Sequence, residues 1–219
     1  MARLKNGFLG GFSGKVGPLI GYRHRGQDCI KSRPKKSPKP PSQKQLESRA
    51  RFKVLNDWRN PLYGFFALSF RNHTKSHSAQ NAAHRFNLGI VTGEYPNFEI
   101  DYSKVVISQG DLPMPLNLKV DRQANGDLHF SWNSATPAKG NSDDLLALLL
   151  ILKREQWDEN YAYTYAAART TGKFTITADQ IPQDKTIHVY ATFLSNDRER
   201  AANSVYLGKL AGEAIQASD

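Results

Sequence analysis

Seven short apolar segments between residues 112 and 210 constrain the fold of this chain more than any other sequence feature. They span residues 116–120, 127–132, 144–152, 161–168, 173–177, 186–194 and 204–207, with Gly, Pro, Asn and Asp residues between them. Apolar and polar residues alternate in most of these segments, and such alternation indicates β-strands. A series of short strands separated by turn residues predicts an antiparallel β-sandwich over residues 112–210.

In the segment 42–95, the apolar residues recur with the period of an α-helix and do not alternate. Ser42 followed by Gln45 fits a capping box, and apolar residues then recur at helical spacing as far as Trp58. Asn60-Pro61 predicts the end of this helix and the start of a second, and a third is predicted at residues 76–88. Residues 96–111 are expected to form linking strands at 98–102 and 105–107, and residues 211–219 a tail. The fold class predicted is therefore α+β.

Three features stand out in the C-terminal half: the Leu112-Pro-Met-Pro opening, the His-Phe-Ser-Trp132 strand end, and the segment Ile187-His-Val-Tyr190-Ala-Thr-Phe193. With these features, this half resembles a fibronectin type III or related immunoglobulin-like domain. The resemblance implies that Trp132 fills the core and that Tyr190 hydrogen-bonds back to the chain. The leucine-rich run at 145–152 departs from the usual alternation, so we expect its second face to be covered, with the helices as candidates.

The whole chain is also similar to a bacterial family of unknown function. In that family a Gly-rich basic start precedes a Lys/Pro stretch, a helix motif and this type of sandwich. Here the start reads Gly-Phe-Ser-Gly-Lys-Val-Gly-Pro at residues 11–18, and the helix motif runs from Gln45 through Arg49 to Phe52. The resemblance implies an architecture and supplies no activity.

Positive charge is concentrated at the N-terminal end of the chain. Residues 1–61 hold 15 Lys and Arg against 3 Asp and Glu, whereas the remaining residues hold 15 against 17. Within the arm, residues 1–41, seven glycines between positions 7 and 26 disfavour a helix, and the Lys- and Pro-rich residues 31–41 exclude one. We expect an extended arm with short β segments at 19–22 and 28–31 around a turn at Arg25-Gly26.

The charge asymmetry is typical of a chain that meets an acidic polymer. Cationic side chains that could contact phosphate are Lys15, Arg23, Arg25, Lys31, Arg33, Lys35, Lys36, Lys39, Lys44, Arg49, Arg51 and Lys53. Tyr22 and Phe52 lie among them as candidate stacking groups. No pattern for base-specific contact is visible, so binding is expected to depend on counterion release and to weaken with salt. An acidic protein neighbour is the alternative partner.

The arm is also too apolar for a free disordered tail. Its large apolar residues are Phe8, Phe12, Val16, Leu19, Ile20 and Tyr22. We expect them to form an assembly contact that orders the arm only when it lies on another surface, such as a neighbouring subunit in a homo-oligomer.

Sequence patterns typical of catalytic or metal-binding sites are weak. We therefore expect that the protein is not an enzyme and that it binds no cofactor and no metal. Residues 10–16 partly resemble a phosphate-binding loop, but Val16 stands where a hydroxyl is needed. No Gly-x-Ser-x-Gly nucleophile motif occurs. His73, His77 and His84 would lie on one side of a helix, yet no His-Glu-x-x-His pattern accompanies them. Cys29 is the only cysteine, which fits a reducing compartment.

The sequence also leads to predictions of the protein's location and of its function. Its longest apolar run has eight residues and its first residues lack an apolar signal-peptide core, so we expect no membrane insertion and a cytoplasmic protein or released particle. The first hypothesis is a structural or assembly subunit of a virion, phage-like particle or other large complex. The alternatives are a monomeric nucleic-acid-associated protein whose sandwich recruits a partner, and a surface adhesion module.

Overall fold

The computed structural model describes residues 3–4, 10–24, 26–35, 39–74, 77–153 and 158–212, with only the backbone for residues 3–4. The chain divides into two compact units, Met1–Gln43 and Lys44–Asp219. Each is described separately.

The first unit is an antiparallel sheet formed by the arm itself. Its strands, in spatial as well as sequence order, are β1 (Arg3–Leu4), β2 (Phe12–Val16), β3 (Leu19–His24) and β4 (Gln27–Ser32). The β segments expected at 19–22 and 28–31 are confirmed within β3 and β4. Gly17 and Gly26 take φ values of +52° and +83° in the two turns, a region that glycine enters without steric cost.

The second unit begins with helices. They are α1 (Gln43–Arg59), α2 (Tyr63–Ser69) and α3 (Ala79–Phe86). The capping box at Ser42 predicted the start of α1 to within one residue. Asn60-Pro61 was expected to start the second helix, but it forms a 3-10 turn that precedes α2. In α3 the Ser78 side chain accepts a hydrogen bond from the Asn81 amide at 3.2 Å, so the helix starts later than predicted. None of the helices in the described ranges is long and apolar enough to span a membrane.

Antiparallel strands follow the helices. The hairpin β5 (Val91–Glu94) and β6 (Asn97–Ile100) comes first, and then β7 (Lys119–Arg122), β8 (Leu128–Ser131), β9 (Leu145–Leu152), β10 (Glu159–Tyr163), β11 (Lys173–Ile176), β12 (Ile187–Leu194) and β13 (Val205–Leu210). One antiparallel sheet has the order β10-β9-β12-β13 and another the order β11-β8-β7. Each of the seven segments predicted as strands therefore overlaps a strand.

The prediction of linking strands was wrong at residues 105–107. Asp101 accepts a hydrogen bond from the Ser103 amide at 3.1 Å, which turns the chain into a 3-10 turn at Tyr102–Lys104. The residues after this turn form no strand, although Val105 and Ile107 are buried. Val105 and Ile107 are apolar because they are buried, not because they belong to a strand, so their apolar character led to the wrong prediction.

Strand β9 contributes to two apolar clusters, one on each face. Leu146, Leu148 and Leu150 pack in a cluster with residues of β8, β11 and β12. The intervening Leu149 and Ile151 pack in a second cluster that includes residues of α1, α2 and α3. The second face of the leucine-rich strand is therefore covered, as expected, by a cluster to which the helices contribute. The helices and the C-terminal strands thus share one core.

Candidate nucleic-acid interface

One face of the arm sheet combines two lysines with an aromatic ring. Lys15 of β2, Ile20 of β3 and Lys31 of β4 lie opposite one another in the strand register, so their side chains project from the same face. Tyr22 follows Ile20 by two residues and shares that face. The Lys31 Nζ atom lies 4.9 Å from the centre of the Tyr22 ring, a cation–π contact. We call these four residues the cationic face.

The opposite face of the arm sheet carries exposed apolar side chains towards one end, and the register places the exposed Arg23 and Asp28 at the other end. Val16 pairs with Leu19, and Ile30 pairs with Gly21, which places Val16, Leu19 and Ile30 on this side with exposed fractions of 51%, 41% and 62%. Phe12 covers Gly21, because a Cβ at that position would lie 2.5 Å from a carbon of the Phe12 ring. We call Phe12, Val16, Leu19 and Ile30 the apolar face.

The residues predicted for assembly therefore do not form a single surface. Phe12, Val16 and Leu19 lie on the apolar face, whereas Ile20 and Tyr22 lie on the cationic face with Lys15. Alternation along each strand separates them, since neighbouring side chains project to opposite sides. Phe8 lies outside the described residues.

The predicted phosphate-contacting residues are all exposed where the structure describes them. These are Lys15, Arg23, Lys31, Arg33, Lys35, Lys39, Lys44, Arg49, Arg51 and Lys53. Arg23 also supports the turn after β3, because its Nε donates a 3.2 Å hydrogen bond to the Gly26 carbonyl. Arg25 and Lys36 lie outside the described residues.

Arg51 has a structural role that the sequence did not reveal. Its two terminal guanidinium nitrogens donate to the carbonyls of Val91 at 3.1 Å and Gly93 at 3.4 Å, and its guanidinium carbon lies 4.5 Å from the centre of the Phe98 ring. Arg51 thereby joins α1 to the β5–β6 hairpin. Arg49 and Lys53 are spaced four residues apart on α1 and share another side of the helix.

A pocket of about 370 Å³ opens beside α1 in the second unit. Its walls are Lys44, Glu47, Ser48, Arg51, Phe52, Leu55, His84, Leu88 and Val91. Phe52 and Leu88 are 57% and 60% exposed, and the Phe52 ring centre lies 4.9 Å from that of His84. Partial burial, and then the positive charge of Arg59, lower the pKa of His84, which favours its neutral imidazole. We call this site the Phe52 pocket.

Sequence reasoning singled out Lys44, Arg51 and Phe52 but missed His84 and Leu88 as their neighbours. His84 was considered only as part of a histidine stripe. The stripe does not form, because His73 lies in a separate 3-10 turn and packs between Phe70 and Phe86 at ring distances of 6.3 and 5.1 Å. The pairing of α1 with α3 depends on tertiary packing, for which a single sequence gives no signal.

Trp132 and Tyr190 lie in the core and make side-chain hydrogen bonds to the backbone. Trp132 is 6% exposed, and its indole Nε1 donates to the Arg169 carbonyl at 2.8 Å. Tyr190 is fully buried, and its hydroxyl donates to the Tyr102 carbonyl at 2.6 Å. Over the described part of the chain, no three His, Cys, Asp or Glu residues cluster as a metal site would require.

Comparison with known proteins gives one extensive match. The model of a family described as "Family of unknown function (DUF6266)" matches residues 11–208. No curated protein matches the chain. A solved structure, the third fibronectin III domain of human KIAA0343 protein, is 9% identical with a TM-score of 0.38 and covers 58% of this chain and 99% of that domain.

Proposed function

The chain belongs to the family of unknown function DUF6266, and from its two-faced arm sheet we propose a non-enzymatic structural protein of a nucleic-acid-containing assembly. The arm sheet contacts the phosphate backbone through its cationic face, and the apolar face contacts a neighbouring copy of the chain. A virion, phage-like particle or other large complex would use such a subunit. The observation that carries the proposal is the placement of Lys15, Lys31 and Tyr22 on one face of a small sheet.

The cationic face suits a polyanion without sequence preference. Lys15 and Lys31 lie on the two strands that flank β3, about 10 Å apart at two strand spacings. Lysine ammonium groups neutralise phosphates as point charges and release condensed counterions, and an aromatic ring adds a stacking surface. Arg33 and Lys35 continue the exposed positive charge directly after β4. No acidic residue interrupts the series from Cys29 to Lys39 in the sequence.

The apolar face favours contact with a second copy of the chain. Three of its side chains, Val16, Leu19 and Ile30, are 41–62% exposed, although they lie side by side on one small sheet. Apolar side chains grouped in this way mark interaction surfaces more often than isolated ones do. A copy docked through this face would leave both cationic faces free for nucleic acid. Size-exclusion chromatography with light scattering should therefore show oligomers that dissociate in a Val16→Ser, Ile30→Ser double variant.

For the C-terminal strands we propose a fibronectin type III-like β-sandwich as the scaffold of this protein. The two sheets, β10-β9-β12-β13 and β11-β8-β7, contribute to a common apolar cluster. This arrangement supports the proposal because a four-stranded and a three-stranded antiparallel sheet packed face to face make up such domains. An experimental structure of residues 44–212 would test it directly.

Binding to nucleic acid is tested by removing the two lysines of the cationic face. We expect Lys15→Gln, Lys31→Gln to weaken binding of an oligonucleotide several-fold at low salt. The slope of log affinity against log salt should become shallower by about 0.7–0.9 for each phosphate that the variant no longer neutralises. Fluorescence anisotropy with a labelled oligonucleotide measures both quantities.

The second unit offers a closely matched control. Lys119 of β7 and Lys173 of β11 both pair with Ser131 of β8, and both are exposed. They thus flank a central strand as Lys15 and Lys31 do. Lys119→Gln, Lys173→Gln removes the same charge and should leave the salt slope nearly unchanged. Equal decreases in affinity in the two double variants, or no measurable binding by the unaltered protein at low salt, would refute the nucleic-acid proposal.

A further inference from the structure

We propose that the Phe52 pocket binds a single unstacked base, so that the protein prefers single-stranded nucleic acid to duplex. This inference rests on the proposed function and specifies its ligand. It uses a site in the second unit whose residues come from α1, α3, the 3-10 turn after α3 and the start of β5.

The exposed face of Phe52 is the first element of this site. Phe52 is 57% exposed although it borders a pocket of about 370 Å³, large enough for one aromatic ring system. Leu55 and Val91 are buried walls, and Leu88 is an exposed apolar wall. An apolar pocket with an accessible aromatic ring suits a flat π-system, and base stacking on aromatic side chains tolerates every base.

Polar groups around the ring fit the remaining parts of a nucleotide. Lys44, Ser48 and Phe52 are spaced four residues apart on α1 and therefore lie along one line of the helix surface. Lys44 is about 12 Å along the axis from Phe52, within reach of a phosphate attached to a nucleotide whose base stacks on Phe52. The neutral imidazole of His84 beside the ring can donate or accept a hydrogen bond at a base edge.

Duplex nucleic acid cannot occupy the pocket in the same way. Its bases are stacked on one another, and presenting one to a protein pocket requires unstacking and unpairing, which are unfavourable. A single strand avoids most of this cost. The cationic face of the arm sheet has no such requirement, because it contacts phosphates. The two surfaces should therefore be separable by the type of nucleic acid offered.

Phe52→Ala in the full chain tests the inference with two probes, an oligothymidylate of about 20 nucleotides and a duplex of equal length. We expect a decrease of about tenfold in affinity for the single strand and a change of less than about twofold for the duplex. Phe52→Trp should restore single-strand binding. Tyr63→Ala is the matched control, because Tyr63 is 64% exposed and does not line the pocket.

A second measurement works on the unaltered protein and is independent of any folding defect. Oligonucleotides carrying 5-iodouracil should photocrosslink to Phe52 or His84, as identified by mass spectrometry of the digested complex. Equal single-strand affinity of Phe52→Ala and the unaltered chain, or crosslinks only to arm residues, would overturn this inference and leave the proposed function standing. Failure of both probes to bind at low salt would refute the proposed function itself.

Discussion

Arg169 and Asp144 form an ion pair in which both side chains are completely buried. The Arg169 Nη2 lies 3.1 Å from the Asp144 Oδ2 and also donates to the Pro113 carbonyl at 2.8 Å. The same Asp144 oxygen accepts the Asn141 amide at 2.8 Å. The guanidinium carbon lies 4.6 Å from the centre of the Phe193 ring. This pair joins the loop before β9, the turn before β11 and the segment that leads to β7.

Breaking the buried pair should cost much of the stability of the second unit. We expect Asp144→Ala to lower the free energy of unfolding by about 3–5 kcal/mol, because it leaves the Arg169 charge buried without its partner. Urea denaturation measures the difference. Asp143→Ala is the control, since Asp143 is exposed and accepts a hydrogen bond from the exposed Asn196, and it should cost less than about 1 kcal/mol. Equal costs would show that the ion pair is not a stabilising feature.

Trp132 should be a further determinant of stability. It fills space next to Phe193, with ring centres 5.9 Å apart, and we expect Trp132→Ala to cost about 3–5 kcal/mol. Trp132→Phe keeps much of the volume but leaves the Arg169 carbonyl without its indole donor, at a cost of about 1–3 kcal/mol. Thermal and urea unfolding distinguish the two costs. A Trp132→Ala protein that melts at the unaltered temperature would contradict this packing.

The sequence predicted those parts of the fold that depend on local pattern. Strands β7 to β13 follow from short apolar segments, most of them alternating, that turn residues separate, and α1 follows from Ser42 and Gln45. Features that depend on contacts distant in sequence were missed. Arg51 looks like one more exposed cation in the sequence, yet it bonds carbonyls 40 and 42 residues away. The pairing of Phe52 with His84 is missed for the same reason. The arm sheet instead pairs strands that are neighbours in sequence, and the segments expected at 19–22 and 28–31 are among them.

The shared core predicts which fragments fold. Residues 111–219 contain the seven strands, and the sequence alone suggests that they could fold by themselves. In the structure, Leu149, Ile151 and Tyr190 pack with residues of the helices, so this fragment would expose them to water. We expect residues 44–212 to unfold cooperatively and residues 111–219 to bind a hydrophobic dye and lack a sharp transition. Cooperative melting of the shorter fragment would show that the helices are dispensable.

Stability should fall as the pH decreases from 7 to 5. Partial burial, and then the positive charges of Lys209 and Lys153, lower the pKa of His188. The unfolded state, with a histidine pKa of about 6.5, therefore binds the proton more tightly than the folded state. The stability that depends on a neutral His188 is fully present above a pH of about 6.5. It is lost as the pH falls towards the pKa of His188 in the folded protein. His84 acts in the same direction.

His188→Asn isolates the contribution of one histidine. Asparagine can keep a polar partner for the Tyr206 hydroxyl, which lies 2.9 Å from the His188 Nδ1, but it does not titrate. We expect the variant to lose less stability between pH 7 and 5 than the unaltered protein, as measured by urea midpoints. The carboxyl groups of Asp101, Asp111 and Asp197 have lowered pKa values. These three groups therefore change the stability only at pH values below about 4. Identical slopes in the two proteins would exclude His188 as a source.

Gly21 should be indispensable for the arm sheet, and its replacement tests whether that sheet is what binds nucleic acid. A Cβ at this position would overlap the carbonyl oxygen and the ring of Phe12, so Gly21→Ala must displace β2 from β3. Lys15 and Lys31 then no longer share a face, and we expect a several-fold decrease in oligonucleotide affinity with no change in the melting of the second unit. Hydrogen exchange should show faster exchange of the β2 and β3 amides that pair these two strands. Gly17→Asn is the control, because Gly17 has a φ of +52° and open space around its Cβ position, which asparagine tolerates better than other side chains. If Gly21→Ala bound nucleic acid as well as Gly17→Asn does, the positive charge of the arm would suffice without its sheet.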